Sequence, residues 1–192
     1  MAAEHETLAA MLGTVGDGVR ARRPPDGMRT RVIAVDGLGG AGKSSFAAHL
    51  SSSLGGAEIA HTDDFASWDD PVDWWPELIE RLLVPLSRNR VARFERSHWG
   101  GAEPGWAEVR PAEFVILEGV TSSRAVFRPF LTYSVWIETP PEVRLRRGLD
   151  RDGDEARGQW ESWMVEEERY AAAERPHENA DLVVRGDRDL WT

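Results

Sequence analysis

The chain has 192 residues, 41% of them hydrophobic, and a formal net charge of −10 at pH 7. These values fit one globular domain, and the acidic balance argues against general binding to nucleic acid or to a membrane surface. The lack of cysteine excludes disulfides and thiolate metal sites, and without an apolar run of roughly 20 residues or a secretory signal we expect a cytoplasmic protein.

The first predicted element is an amphipathic helix, because apolar residues recur at helical spacing from about Glu4 to Arg22. Pro24-Pro25-Asp26-Gly27 ends it, so we assign residues 1–27 to an N-terminal helix. The helix could pack on the chain's own core or on another subunit, which leaves a homo-oligomer open. The continuous apolar run Arg31–Asp36 then predicts a strand that is buried on both faces.

Strands and helices alternate through the rest of the chain. A helix is predicted at Ser44–Leu54, followed by strands at Glu58–His61, Phe114–Leu117, Tyr133–Ile137 and Asp181–Val184. Further helical patterns cover Trp74–Leu86, Pro141–Leu149 and about Glu155–Glu174. This alternation predicts an α/β fold with a parallel sheet. The irregular stretch Val91–Arg110, rich in Gly, Trp and charge, is interpreted as a ligand-facing insertion.

A glycine-rich motif joins the first strand to the next helix. Gly37-Leu38-Gly39-Gly40-Ala41-Gly42-Lys43-Ser44 matches G-x-x-x-x-G-K-[ST] over all eight residues. Its glycines allow successive N–H groups to point at one anion, and the helix adds its positive end. Lys43 is the only lysine among 23 basic side chains, and its compact ammonium suits a site between phosphate oxygens. The motif predicts a phosphate-binding loop, against the alternative of a glycine turn without a ligand.

Carboxylates follow two of the predicted strands. Asp63 and Asp64 come after Glu58–His61, and Glu118 follows Phe114–Leu117. Open parallel sheets bind ligands at the carboxyl ends of their strands, where a carboxylate can accept the proton of a substrate hydroxyl. Glu118 could hold a Mg²⁺-bound water or the substrate. The alternatives are that Asp63 or Asp64 only caps a turn and that Glu118 is an ordinary polar residue where the chain leaves the sheet.

Arginines form a cluster that runs from a predicted helix into a Gly- and Asp-rich turn: Arg144, Arg146, Arg147 and Arg151, with Arg157 beyond the turn. A mobile segment of this kind can close over a transferring phosphate and exclude water. The alternative is a solvated face whose arginines pair with neighbouring carboxylates.

Tryptophan is frequent, with 9 residues. Five of them could stack a planar ligand: Trp68, Trp74, Trp75, Trp99 and Trp106. Core packing is an equal alternative for Trp74 and Trp75. Trp136, Trp160 and Trp163 are assigned to packing, and His98 to a structural role.

In chain order these motifs resemble the uridine kinase-like branch of the P-loop nucleoside and nucleotide kinases. The resemblance runs from about Val32 to Gly186 and rests on the glycine loop with Asp36, and on Thr62-Asp63-Asp64-Phe65, Leu117-Glu118-Gly119-Val120, Arg144-Leu145-Arg146-Arg147 with Arg151-Asp152, Arg157-Gly158 and Ala180–Gly186. It implies the P-loop NTP hydrolase fold, with a parallel five-stranded sheet sandwiched by helices and an Arg-rich lid. The domain would be a single one over residues 1–192, with an acceptor-binding insertion at about 65–110 and the lid at about 147–158.

The resemblance also implies ATP and Mg²⁺ as cofactors and a small-molecule hydroxyl acceptor as partner. The catalytic residues would be Asp63, as the base toward the acceptor, with Lys43 and Arg147. The nucleotide would bind Gly37, Gly39, Gly40, Ala41, Gly42, Lys43, Ser44, Ser45, Arg144, Arg147 and Arg151. The metal would bind Ser44, Asp63 and Glu118. The acceptor would contact Asp63, Phe65, Trp68, Trp75, Arg93, His98, Trp99, Glu118 and Arg157.

The sequence departs from the family on the acceptor side, because Ser97-His98-Trp99 stands where the family has an aromatic-Asp-aromatic segment. A neutral histidine offers one donor and one acceptor to a ribose, whereas a carboxylate accepts two hydroxyl hydrogens. Three functions remain: a kinase of a uridine- or cytidine-like nucleoside, a kinase of another hydroxylated metabolite or antibiotic, and a regulatory protein that binds ATP without transferring phosphate.

Overall fold

In the computed structural model, which describes residues 7–66, 74–97 and 105–187, five parallel strands form the central sheet. The strands of the described chain are β1 Arg31–Asp36, β2 Glu58–His61, β3 Ala92–Glu95, β4 Trp106–Val109, β5 Phe114–Glu118, β6 Leu131–Glu138 and β7 Leu182–Arg185. The sheet has the order β2-β5-β1-β6-β7, and every neighbouring pair is parallel. The predicted α/β fold with five parallel strands is therefore confirmed.

Helices cover both faces of this sheet. They are α1 Leu8–Ala21, α2 Lys43–Ser53, α3 Trp75–Leu78, α4 Val84–Ser87, α5 Pro141–Asp152, α6 Arg157–Glu174 and α7 Pro176–Asn179. Short 3₁₀ turns lie at Thr62–Asp64, Ala125–Phe130 and Asp154–Ala156. Among the described residues, no helix combines the length and apolar character that a membrane crossing requires.

The core has two main layers because side chains alternate between the two faces of each strand. Val32 and Leu117 belong to one buried cluster, together with side chains from α3, α4 and the β3–β4 pair. Ile33 and Ile116 belong to the other, together with α1 and α2. The central strands β1 and β5 are thus covered on both sides, as their continuous apolar sequences predicted.

Helix α1 packs on the chain's own core, which answers the question that the sequence left open. Met11, Val15 and Val19 are buried in the same cluster as α2. The helix begins after Thr7, whose hydroxyl accepts a hydrogen bond from the Ala10 N–H at 3.3 Å. Its predicted start at Glu4 lies outside the described residues.

Two parts of the chain differ from their predicted regular form. The helix predicted at Trp74–Leu86 is divided by a π-helical segment, Ile79–Leu83, which ends two residues before Pro85. Proline lacks the N–H that continues the α-helical hydrogen-bond ladder, which accounts for the interruption. The stretch expected to be irregular, Val91–Arg110, contains the antiparallel pair β3–β4.

Candidate active site

The glycine loop lies between β1 and α2, at the carboxyl end of the central strand. Gly40 and Gly42 have φ values of 74° and 101°, which L side chains rarely adopt. A Cβ on Gly40 would also lie 2.5 Å from the backbone oxygen of Arg144. Lys43 is 8% exposed, and its Nζ donates to the Leu38 carbonyl at 3.1 Å. The loop therefore depends on glycine for both its conformation and its close contact with α5.

Asp36, directly before the loop, connects three parts of the site. Its carboxylate accepts hydrogen bonds from the N–H groups of Gly37, Thr121 and Ser123 at 2.7, 3.0 and 2.9 Å. The hydroxyls of Ser123 and Tyr170 donate to it at 2.6 Å each. Burial raises the pKa of Asp36, while these donors stabilise its charged form. The network joins the glycine loop to the segment after β5 and to α6.

A cavity of about 1110 Å³ opens beside the loop. It is bounded by the loop and the start of α2, by the segments that follow β2 and β5, and by the facing sides of α5 and α6. Its lining includes Gly39, Gly40, Gly42, Lys43, Ser44, Ser45, His61, Asp63, Asp64, Trp74, Glu118, Arg147, Arg151, Gln159, Trp160, Trp163, Glu166 and Glu167. The structure thus brings most of the predicted nucleotide-binding residues together with Asp63 and Glu118.

Asp63 lies in the 3₁₀ turn after β2. Its side chain is reached by solvent within the cavity but is surrounded by protein, and this burial raises the pKa of its carboxyl above the usual range. Lys43 opposes the shift, whereas the negative charge of Glu118 adds to it. A carboxylate with a raised pKa is a better proton acceptor at neutral pH.

Glu118, the last residue of β5, contacts two other side chains. It accepts a hydrogen bond from the Ser44 hydroxyl at 3.1 Å and contacts His61 Nδ1 at 2.7 Å. Burial acts to raise the pKa of Glu118, but the hydrogen bond with His61 and the charge of Lys43 lower it overall. The hydrogen bond with Glu118 raises the pKa of His61. The pair therefore favours an ionised Glu118.

These side chains fit the predicted Mg²⁺ site. Mg²⁺ in proteins is held by one or two carboxylates with phosphate oxygens and water. The Ser44 hydroxyl and Glu118 carboxylate are in contact, and Asp63 is near enough to Glu118 for their charges to interact. The oxygen ligands expected from the sequence thus lie at one wall of the cavity.

The predicted nucleotide-binding arginines differ in their surroundings. Arg147 lines the cavity and donates to the carbonyls of Gly40 and Gly186 at 3.3 and 2.9 Å. Arg151 also lines it and forms two 2.8 Å hydrogen bonds with Asp152. Arg144 is 2% exposed and lies behind the loop, outside the lining.

The residues predicted for the acceptor are only partly at the cavity. Phe65 is 6% exposed and its ring packs 4.5 Å from that of Phe94, in the core. Trp75 packs partly buried against the same core, whereas the adjacent Trp74 is 6% exposed, belongs to that core and also borders the cavity. Arg93 is exposed and pairs with Glu108 at 2.7 Å, outside the lining.

Arg157 also lies outside the lining and pairs with Asp154 at 3.7 Å. The predictions for Trp68, His98 and Trp99 fall outside the described residues.

One face of α6 forms a wall that the sequence reasoning missed. Gln159, Trp160, Trp163, Glu166 and Glu167 of the helix line the cavity, as does Ala156 directly before it. Their spacing of three or four residues places them on one helical face. Trp160, assigned to packing from the sequence, is 3% exposed and touches the cavity while its Nε1 donates to Asp152 at 2.9 Å. The recurrence of Trp and Glu at helical spacing was the available signal.

Comparisons with known proteins give similarity in structure alone. No protein-family model matches the chain, and no curated protein matches it in sequence. A possible uridine kinase from Bacillus stearothermophilus aligns with a TM-score of 0.68 and 20% identity, covering 92% of this chain and 98% of that one. A candidate fructose transport system kinase from Silicibacter sp. TM1040 has a TM-score of 0.67 and 22% identity, covering 93% and 99%.

A D-glycerate 3-kinase from Cryptococcus neoformans aligns with a TM-score of 0.54 and 14% identity, covering 87% of each chain. The three alignments cover between 87% and 99% of these proteins' chains. The chain therefore shares the fold of these kinases, which is the fold that the resemblance of its sequence implied.

Proposed function

We propose that the protein is a kinase that transfers the γ-phosphate of ATP, bound with Mg²⁺, to a hydroxyl group of a uridine- or cytidine-like nucleoside or a related small molecule. The observation that carries this proposal is one cavity that contains both Lys43, in its glycine loop, and the carboxylate of Asp63. The two charges are close enough to affect the titration of Asp63. A phosphate donor and a hydroxyl acceptor bound in that cavity would meet between them.

On the donor side, the loop from Gly37 to Ser45 would cradle the phosphates through its N–H groups. Lys43 and Arg147 would stabilise negative charge on the transferring group, and Arg151 would approach with the lid at about 147–158. Ser44, Glu118 and Asp63 would hold Mg²⁺, which neutralises charge on the phosphate oxygens. Arg144 would act from behind the loop, since it lies outside the cavity lining.

On the acceptor side, Asp63 would orient the substrate hydroxyl and accept its proton as the oxygen attacks the γ-phosphorus. The bond from that phosphorus to the leaving ADP oxygen breaks in the same displacement. Trp163 is partly exposed at the cavity and offers an aromatic surface for a planar group, while the core residue Trp74 only borders the cavity. Trp68, His98 and Trp99 of the insertion at about 65–110 remain proposed acceptor contacts.

A kinase of another hydroxylated metabolite is the second candidate. The observation in its favour is that Phe65, Arg93 and Arg157, which the resemblance assigned to the acceptor, lie outside the cavity lining. A regulatory ATP-binding protein is a weaker candidate, because a sensor needs neither a proton-accepting carboxylate nor arginines at the cavity.

The test is coupled ADP release with a panel of acceptors. Turnover with uridine or cytidine supports the nucleoside kinase, and turnover only with other hydroxyl compounds supports the second candidate. Tight ATP binding without turnover on any acceptor contradicts the kinase proposal and favours the regulatory function. Omission of Mg²⁺ is expected to abolish turnover.

A further inference from the structure

The glycine loop is in contact with a carboxylate that the phosphoryl-transfer chemistry does not use. Glu167 reaches it from α6, 128 positions along the chain, and both of its oxygens accept a hydrogen bond from the Gly39 N–H at 3.0 Å. The Glu167 side chain is only 10% exposed. Gly39 belongs to the motif whose N–H groups hold phosphate, so an anion already lies against a phosphate-binding group.

A basic partner sits behind Glu167. Arg144 of α5 donates from Nη1 to Glu167 at 3.3 Å, and its Nη2 lies 3.8 Å from the more exposed Glu168. The Nε of Arg144 is buried and has no hydrogen-bond partner among the described residues. Arg144 is therefore paired with carboxylates of α6 inside the fold, and it does not reach the cavity lining.

The electrostatic surroundings of Glu167 resemble those of a bound phosphate oxygen. Burial raises the pKa of Glu167, while Lys43, the Gly39 N–H and Arg144 favour its charged form and Asp36 opposes it. Lys43 and the Gly39 N–H are also expected to receive the terminal phosphate of a triphosphate. Two anions cannot share these donors without repulsion.

We propose that Glu167 is a positioning residue that holds the empty glycine loop through Gly39 and is displaced by the terminal phosphate of a nucleoside triphosphate. This inference rests on the proposed function, since it assumes that the loop binds a nucleotide. A diphosphate lacks the terminal group and leaves the contact in place. Trp163 lies one helical turn before Glu167 on the same face of α6, beside the side chain that is displaced.

The contact explains why position 39 is occupied by glycine. A Cβ on Gly39 would lie 2.8 Å from Glu167 Oε1 and 3.1 Å from the Trp160 ring, so glycine permits the contact. The carboxylate holds the loop by a charge-assisted hydrogen bond, which is stronger than a neutral one.

The experiment compares the binding of a non-hydrolysable ATP analogue with that of ADP by calorimetry, both with Mg²⁺ and without acceptor. The variant Glu167→Gln retains an oxygen for the Gly39 N–H but removes the charge. We expect its Kd for the triphosphate analogue to fall about fivefold to tenfold, since a nearby like charge is removed, while its Kd for ADP stays within about twofold. Glu166→Gln is the matched control, because Glu166 also lines the cavity but pairs with Arg169 of its own helix.

Removal of the Glu167 charge leaves Arg144 buried beside a neutral amide, which can destabilise the fold. The double variant Arg144→Gln/Glu167→Gln removes both charges and is expected to show the same gain for the triphosphate. Equal changes for both nucleotides, or no change in folded Glu167→Gln or in the double variant, would assign Glu167 a purely structural role and overturn the inference. Failure of the parent protein to bind either nucleotide would overturn the proposed function as well.

Discussion

Asp63 differs from the other carboxylates at the cavity. Among the described residues it has no hydrogen-bond donor or ion-pair partner, whereas Asp64 pairs with Arg96 at 3.5 Å and Glu118 with His61. A carboxylate that is not held by another side chain can accept the proton of a substrate hydroxyl. Its raised pKa, caused by burial, suits the same role.

We predict that Asp63→Asn leaves ATP affinity within a few-fold of the parent but lowers turnover at least about a hundredfold, the usual contribution of a general base. Steady-state ADP release with the acceptor found in the panel measures both effects. Asp64→Asn is the matched control, with an expected loss of less than about tenfold, because its carboxylate is already paired with Arg96. Near-parental turnover of Asp63→Asn would remove Asp63 from the role of base.

Lys43 offers a second test at the level of one side chain. It is 8% exposed and its ammonium fits against the Leu38 carbonyl at 3.1 Å. A planar guanidinium is larger and cannot take the same position between phosphate oxygens. We predict that Lys43→Arg lowers kcat at least about a hundredfold despite conserving the charge.

The substitution Arg147→Lys is the reciprocal control for Lys43→Arg. Arg147 donates from Nη1 to the carbonyls of Gly40 and Ala41 and from Nη2 to that of Gly186, so a lysine there loses contacts but keeps the charge. We expect a smaller reduction, of about tenfold. A Lys43→Arg variant with near-parental kcat would show that charge alone suffices at this position.

At the level of elements, the strands that are apolar on both faces were the ones best predicted from the sequence. Strands buried on both faces need continuous apolar residues, and β1 and β5 show that pattern without interruption. The β3–β4 pair was missed because its exposed face carries Arg93, Glu95 and Trp106, which mask a short alternating pattern. Such a pair depends on contacts between two segments, and these cannot be found in either one alone.

The meeting of the glycine loop with Asp63 and Glu118 in one cavity could be predicted because it follows from a local motif and from strand ends. Lys43 and Ser44 lie in one motif, and Asp63 and Glu118 follow strands whose ends meet at one edge of the sheet. The wall formed by α6 was not predictable in this way. The contact of Glu167 with Gly39 joins residues 128 positions apart and depends on how α6 lies over the loop.

The α6 wall leads to a prediction about the acceptor. Trp163 is partly exposed at the cavity, and its ring lies edge-on to Trp160 at a centroid distance of 6.1 Å. We predict that Trp163→Ala raises the KM for a planar acceptor about tenfold or more, since stacking contributes about 1–3 kcal/mol, and changes the KM for ATP less than about threefold. Steady-state kinetics with each substrate varied in turn provides the measurement.

Val165→Ala controls for substitution on the same helix. Val165 is 49% exposed and does not line the cavity, so both KM values should stay close to those of the parent. An unchanged acceptor KM in folded Trp163→Ala would exclude Trp163 from the acceptor site.

At the level of the whole molecule, the ends of the buried strands concentrate charge in a chain that is already acidic. The sheet places His61 of β2 beside Glu118 of β5 through the register of those strands. Their side chains are 2.7 Å apart, with His61 about half exposed at 48% and Glu118 at 6%. A change in the charge of this pair therefore affects the stability of the sheet as well as the site.

The pH dependence of that stability follows from the two pKa shifts. The hydrogen bond with Glu118 raises the pKa of His61, so the contribution of His61 is fully present below its usual pKa near 6.5 and is lost as pH rises through the higher folded value. Burial opposes the lowered pKa of Glu118, but the hydrogen bond with His61 and the charge of Lys43 prevail. The contribution of Glu118 is present above its usual pKa near 4.5 and is lost as pH falls through the lower folded value.

We therefore predict that the pair stabilises the fold most between about pH 4.5 and 6.5 and less at pH 8.5. The loss should be at most about 1 kcal/mol, since solvent screens the half-exposed His61. Urea unfolding of the parent and of His61→Gln at pH 5.5 and 8.5 measures it, because glutamine keeps a hydrogen-bonding side chain but does not titrate. The free energy of unfolding of the parent should fall more than that of His61→Gln between the two pH values. An equal fall in the free energy of unfolding of both proteins would show that the charged form of His61 is not stabilised by Glu118.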